Sequence, residues 1–110
     1  MPMFPLPGVF LFPHQVLPLH VFEERYRALV TDLLDTTGRF VVATIRSEAS
    51  ETAANETADR LPAVLPVAGF GEIVRHEKLP DGRYLIWVVG LARVHIDEVP
   101  ATTPYRQVQL

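Results

Sequence analysis

Four histidines and one cluster of two glutamates and an arginine carry the side chains for acid–base or metal chemistry in this chain of 110 residues. The histidines are His14, His20, His76 and His95. No two have the H-x-x-x-H spacing that places two ligands on one helix face. His76 and Glu77 are neighbours in a strand-like segment, where successive side chains point to opposite faces. We therefore expect structural or surface histidines and no bound metal.

The acidic cluster consists of Glu23, Glu24 and Arg25. An acid–base pair needs a nucleophile or a second carboxylate, and none is near in sequence. The glutamates begin a predicted helix, where its dipole favours acids, and Glu23 is four residues before Arg27. We predict a helix-starting and ion-pairing role for this cluster.

Nucleophiles are scarce. The chain has no cysteine, which excludes disulfides and thiolate catalysis. The only serines are Ser47 and Ser50, the only lysine is Lys78, and no phosphate-binding G-x-x-x-x-G-K-[ST] loop is present. A small enzyme using histidine and glutamate is conceivable, but no nucleophile–base arrangement supports it. We predict no enzymatic activity and no cofactor.

The composition is that of a globular protein, with 48% apolar and 21% charged residues and a net charge of −3. Its basic residues are scattered, which argues against nucleic-acid binding. The uncharged residues 1–21 contain five prolines and cannot form a membrane helix. The N-terminus lacks the charged start of a secretory signal. We expect a cytoplasmic protein without a membrane partner.

One helix and several strands must position these side chains. Apolar residues recur with helical spacing over residues 22–37, and Gly38 provides a stop. The run FVVATIR (40–46) predicts a strand buried on both faces. A P-D-G turn (80–82) between apolar runs predicts a hairpin. ARVHIDEV alternates as a strand with one inner face, and YRQVQL predicts a last strand.

Prolines 5, 7, 13 and 18 interrupt the N-terminal apolar run, and prolines are tolerated in edge strands and sharp connections. We therefore predict edge strands that lead into the helix. Residues 47–62 are polar and lack an apolar stripe, which predicts a mobile loop.

Several segments, in this order, resemble the N-terminal domain of the Lon proteases and its stand-alone relatives: FPLPGVFLFP, VLPLHVFEERYRALV, GFGEIVRHEKLPDGRYLIWVVGLARVHI and PYRQVQL. The most specific parts are P-L-x-V-F-E-x-R-Y, from Pro18 to Tyr26, then L-P-D-G-R-Y, and V-x-G-L-A-R, which ends at Arg93. The resemblance covers nearly the whole chain except the predicted loop.

The resemblance implies a mainly β (α+β) fold, a PUA-like β pseudobarrel of about six strands with one amphipathic helix. It implies one domain over 1–110, without the helical subdomain usual in the family. It further implies recognition of unfolded or degron-bearing protein segments, self-association, or both, with ATPase and protease chemistry located elsewhere. An RNA-binding PUA-like module and a module for oligomerisation alone are the alternatives.

Candidate substrate-binding residues follow from apolar side chains with no obvious place in a core. Phe10, Leu11 and Phe12 are consecutive and cannot all face inward from an edge strand, and Leu79 adjoins a hairpin turn. Cover by a helical subdomain is the alternative explanation. Together with the acidic cluster, they would bind apolar segments through surface contacts and edge-strand pairing. Trp87 is expected in the core.

Overall fold

The computed structural model of the protein describes residues 1–46 and 62–110. Its elements are β1 (Met3–Pro7), β2 (Val16–Val21), α1 (Glu24–Leu34), β3 (Arg39–Ile45), β4 (Val67–Lys78), β5 (Tyr84–His95), β6 (Asp97–Val99) and β7 (Gln107–Gln109). Within these residues, the mainly β fold with one helix is confirmed. The described residues form seven strands, against about six predicted. The predicted loop lies outside the described residues, apart from Pro62.

Five strands form one sheet in the order β1-β3-β4-β5-β2, and β6 pairs with β7 in a second sheet. β1 is parallel to β3, whereas the other pairs are antiparallel. β1 and β2 are therefore the edges of the larger sheet. They contain Pro5, Pro7 and Pro18, which confirms the edge strands predicted from these prolines.

The outer edge of β1 lacks hydrogen-bond donors at two positions. Val41 of β3 donates its N–H to Pro2 O at 3.0 Å. Because successive residues of a strand direct their backbone groups to opposite sides, even-numbered residues of β1 face β3. Pro5 and Pro7 therefore face away from it. They offer carbonyl acceptors there and no N–H.

α1 begins two residues later and ends three residues earlier than predicted. Gly38 ends the connection with φ +72°, and its N–H donates to Leu33 O at 3.1 Å. The buried stripe confirms the helical period: Tyr26, Leu29, Val30 and Leu33. Phe22, predicted as the first residue of this stripe, precedes the helix and is 57% exposed.

The predicted ion pair between Glu23 and Arg27 is wrong. Glu23 instead accepts from Arg25 Nε at 3.1 Å. The Arg27 side chain donates to Phe22 O at 2.8 Å and to Asp81 O at 3.3 Å. An exposed ion pair contributes little stability, so these two carbonyl contacts can replace it. Arg27 thereby ties α1 to the β4–β5 hairpin.

That hairpin has the predicted turn chemistry. Gly82 has φ +93°, and Asp81 Oδ1 accepts from the Arg83 N–H at 3.1 Å. This backbone bond is the main cause that lowers the pKa of the Asp81 carboxyl below its ordinary value. Local residues therefore fix the hairpin, which orients the two longest strands.

β3 separates two apolar clusters. Phe40 and Val42 pack into the cluster beneath α1, whereas Val41 and Ala43 pack into a second cluster that includes Met3, Ile96 and Val108. The prediction that this strand is buried on both faces is confirmed. The prediction that Trp87 lies in the core is wrong: it is half-buried on the outer face of β5, with the Arg75 guanidinium 4.7 Å from its ring.

Candidate functional site: a glycine-seated aromatic pair and an edge groove

The connection between β1 and β2 crosses the sheet at three glycines. Residues 8–15, here called the crossing segment, place their backbone where side chains would otherwise stand. A Cβ at Gly90 would lie 2.0 Å from Phe12 O, and one at Gly69 would lie 2.4 Å from Leu11 O. At Gly71 it would lie 2.7 Å from Leu11 Cδ2. Only glycine permits this backbone contact.

Because the crossing segment lies directly on these glycines, its three apolar side chains have different environments. Leu11 is 4% exposed and belongs to the cluster beneath α1. Phe10 and Phe12 are 50% and 53% exposed, and their rings stack at 6.2 Å with 19° between planes. The structure thus places one predicted site residue in the core and two on the surface. The crossing segment adopts no strand at these residues, contrary to the expected edge strand.

One side-chain and two backbone hydrogen bonds hold the backbone of the crossing segment near its two ends. Thr44 Oγ1 donates to Val9 O at 2.5 Å. Near the other end, the His14 N–H donates to Gly90 O at 2.9 Å, and the Gly90 N–H donates to Gln15 O at 2.8 Å. The aromatic pair therefore stands on a fixed backbone and needs little ordering to present its rings.

A cleft of about 280 Å³ lies beside the aromatic pair. Its wall includes Phe10, Phe12, Pro66 and Val67, with Arg93 as the charged lining residue. Such a mainly apolar wall with one cation can accept an aliphatic or aromatic side chain. We call this cavity the aromatic cleft.

A second cavity of about 340 Å³ lies between β1 and the start of α1. We call it the edge groove. Apolar side chains make most of its wall, among them Phe4, Leu6, Val21 and Ile45. Both cavities adjoin β3. Its residue Thr44 lines the aromatic cleft, and the next residue, Ile45, lines the edge groove.

The charged part of the edge groove surrounds Tyr26. The Tyr26 ring stacks on Phe4 at 4.4 Å, and the Arg25 guanidinium lies 5.0 Å from its centroid. Burial raises the pKa of Tyr26 above its ordinary value, while the nearby Arg25 charge opposes this shift. Arg106 also lines the groove and is held by both carboxylate oxygens of Glu98.

Within residues 1–46 and 62–110, no group of three or more His, Asp or Glu side chains is arranged to hold a metal ion. α1 has eleven residues, and the described part of the chain contains no helix long and apolar enough to cross a membrane. Phe10, Leu11 and Phe12 line the aromatic cleft, and Glu23 and Arg25 line the edge groove.

The family model of the ATP-dependent protease La (LON) substrate-binding domain matches residues 1–110. The chain belongs to this family. It is 30% identical over 100 residues to the Lon protease of Xanthomonas oryzae pv. oryzae, covering 90% of this chain and 11% of the relative. It is also 30% identical over 107 residues to Lon protease 2 of Syntrophobacter fumaroxidans, covering 96% of this chain and 13% of the relative. The chain thus spans a small fraction of these relatives.

Solved structures agree with the family. The Lon N-terminal domain protein from Xanthomonas campestris superposes with a TM-score of 0.69 at 25% identity, covering 99% of this chain and 57% of that one. The N-terminal domain of Mycobacterium avium complex Lon protease gives 0.63 at 15% identity, covering 98% and 52%. The resemblance to Lon N-terminal domains and the fold class are thereby confirmed.

The other site residues predicted for this Lon-family domain fall into separate places. Glu23 and Arg25 line the edge groove, and Glu24 is exposed in the first turn of α1. Leu79 is half-buried at the hairpin and lines neither cavity. The sequence analysis missed Tyr26 as a groove residue, since helical spacing assigns it to the core.

Proposed function

We propose that this Lon-family domain binds protein segments that expose apolar side chains, and that it does so without catalysing a reaction. The observation that carries the proposal is the stacked pair Phe10 and Phe12, half exposed beside the aromatic cleft. Unfolded segments present apolar side chains, and a contiguous apolar surface offers them burial.

The fixed backbone of the crossing segment favours binding. Side chains and loops that must become ordered on binding reduce affinity, by about 0.5–1.5 kcal/mol for each immobilised side chain. The rings of Phe10 and Phe12 already stack, and glycines hold the backbone beneath them. Most of the ordering cost then falls on the bound segment. We expect weak binding by one copy, and stronger binding where several copies are linked.

Side-chain contacts explain recognition better than the edge-strand pairing that we expected from sequence. Pro5 and Pro7 provide no donors at the outer edge of β1. Pro18 lies in the middle of β2, at the other edge of the sheet. A strand added at β1 would leave its own carbonyls unpaired at both prolines.

Backbone NMR titration of the chain with an unfolded, apolar polypeptide tests the proposal, beside an RNA of similar length. We expect shifts around residues 9–12 and Arg93 with the polypeptide alone. Phe12→Ser should remove them, whereas Val74→Ser, at a side chain that is also 53% exposed, should not. Unchanged spectra at high polypeptide concentration would sink the proposal, and shifts with RNA alone would favour an RNA-binding module.

We also propose self-association, on a different observation. The outer face of the larger sheet carries Val16 opposite Val89 and Pro18 opposite Trp87, followed by exposed Leu91. Such contiguous apolar sheet surface is typical of an interface. Sedimentation velocity at rising concentration should show a larger species that Leu91→Arg abolishes. A monomer at every concentration would contradict this role.

A further inference from the structure

One wall of the edge groove offers hydrogen-bond acceptors from the backbone of β1. Pro5 and Pro7 line it and face away from β3, so on this side of β1 they offer carbonyl oxygens and no N–H. A ligand bound along this wall must supply N–H donors. The apolar side chains of Leu6 and Ile45 line the same cavity and would receive an aliphatic group.

The opposite wall is the start of α1, and it suits an anion. Glu23 is the N-cap residue, but its side chain makes no cap hydrogen bond and pairs with Arg25 instead. The first backbone N–H groups of a helix have no partner within it and favour negative charge. Of the residues that carry these N–H groups, Arg25 lines the groove.

A second feature of this wall is a tyrosine hydroxyl that can donate to a ligand. Tyr26 is 9% exposed, and no hydrogen bond to its hydroxyl is found in the described part of the chain, although this residue lines the groove. Its hydroxyl and the free edge of the Arg25 guanidinium can both donate to a carboxylate. The other charged groups at the groove are Glu23, which pairs with Arg25 through one carboxylate oxygen, and Arg106, which pairs with Glu98.

We propose that the edge groove binds the C-terminus of a polypeptide that ends in an apolar residue. The terminal carboxylate lies at the start of α1, where Arg25 and the Tyr26 hydroxyl donate to it. The last side chain occupies the apolar wall. The last N–H group donates to the carbonyl of Pro5 or Pro7.

A chain end fits this groove better than a segment passing through it. A continuing strand would place a carbonyl opposite each proline ring without a donor. An ending chain needs to place only one or two residues there, and its carboxylate supplies the negative charge. This inference extends the proposed recognition of polypeptides to a surface separate from Phe10 and Phe12, so each can fail alone.

The test is fluorescence anisotropy with an unstructured labelled decapeptide ending in Ala-Leu. We compare the free acid with its C-terminal amide, and with an amide that carries an internal Asp-Leu. The free acid should bind about 10-fold more tightly than either amide, the value of one charge-assisted contact. Arg25→Gln and Tyr26→Phe should each reduce that difference. Arg75→Gln, at an arginine on the outer sheet face, is the control and should preserve it.

Amide shifts locate the bound peptide. We expect them at Leu6, Ile45 and Arg25 in the complex with the free acid. Equal binding of acid and amide would overturn the inference, as would shifts confined to residues 9–12. Preference for the internal Asp-Leu peptide would show recognition of an acidic side chain and would also overturn it. None of these results alters the Phe12→Ser test of the proposed function.

Discussion

Replacing Gly90 by alanine should release the crossing segment from the sheet. The new Cβ would lie 2.0 Å from Phe12 O and 2.7 Å from Phe12 C, both of them backbone atoms that no rotamer change can move. If the segment lifts, Leu11 leaves the core, at a cost of about 1.5–3 kcal/mol. Two backbone hydrogen bonds of Gly90 are also lost, each worth about 0.5–1.5 kcal/mol. The expected loss is about 4 kcal/mol in the free energy of unfolding.

Urea denaturation, followed by Trp87 fluorescence, measures this loss. Two glycines of the same fold provide graded controls. At Gly71 the closest atoms are side-chain carbons of Leu11 and Val88, so alanine there should cost less. Gly8 has no neighbour within 4 Å, and only its φ of +64° opposes alanine, at about 1–2 kcal/mol.

The same variant also tests the binding site. If Gly90→Ala folds, it should lose the polypeptide-induced shifts at Phe10 and Phe12 while Gly8→Ala retains them. If Gly90→Ala lowers the free energy of unfolding by less than about 1 kcal/mol and binding stays intact, the contact between Gly90 and the crossing segment does not position the aromatic pair. If Gly90→Ala does not fold, Gly71→Ala provides the binding test.

Three further results are expected. Burial, and then a hydrogen bond to Asp32, raise the pKa of Tyr105 to about 12. The protonated Tyr105 hydroxyl therefore contributes its full stability below pH 10, and this contribution is lost as the pH rises through 12. The urea midpoint of the parent protein should fall more steeply at alkaline pH than that of Tyr105→Phe. Arg106→Met should lower the free energy of unfolding by about 1 kcal/mol or less in the same assay, because the Glu98 carboxylate that loses its partner is partly exposed to water. Phe12→Ser should change it by less than about 1 kcal/mol, because that ring is half exposed.

Local signals predicted the helix, the hairpin and the doubly buried β3. Trp87 shows where a local pattern was insufficient. The run YLIWVVGL is apolar throughout, so period-two alternation could not show which residues face outward. Burial alternates in the structure, with Tyr84, Ile86 and Val88 inside. Pairing with both β2 and β4 determines which residues of β5 face inward. No short window of sequence contains that information.

The candidate sites were less predictable, because each joins segments distant in sequence. Gly69 and Gly71 alternate in β4, and glycines two apart in a strand can indicate close approach of another backbone. The segment that approaches them is almost sixty residues earlier, and its identity needs the tertiary fold. The edge groove likewise depends on the parallel pairing of β1 with β3, which brings Pro5 beside the start of α1.

The two cavities together imply a dependence on ligand length. They flank β3 at Thr44 and Ile45, within a domain whose longest dimension is 37 Å. An extended chain covers about 3.3 Å per residue, so roughly 11 residues span the whole domain. A peptide with an apolar terminus and a second apolar residue no more than that distance upstream can occupy both cavities. Its affinity should exceed that of either half, because the second contact is intramolecular.

Anisotropy with a series of peptides that differ in spacer length should show this gain in affinity. Phe12→Ser should abolish the gain while leaving the preference for a free carboxylate. A gain that survives Phe12→Ser would mean that the upstream residue binds elsewhere.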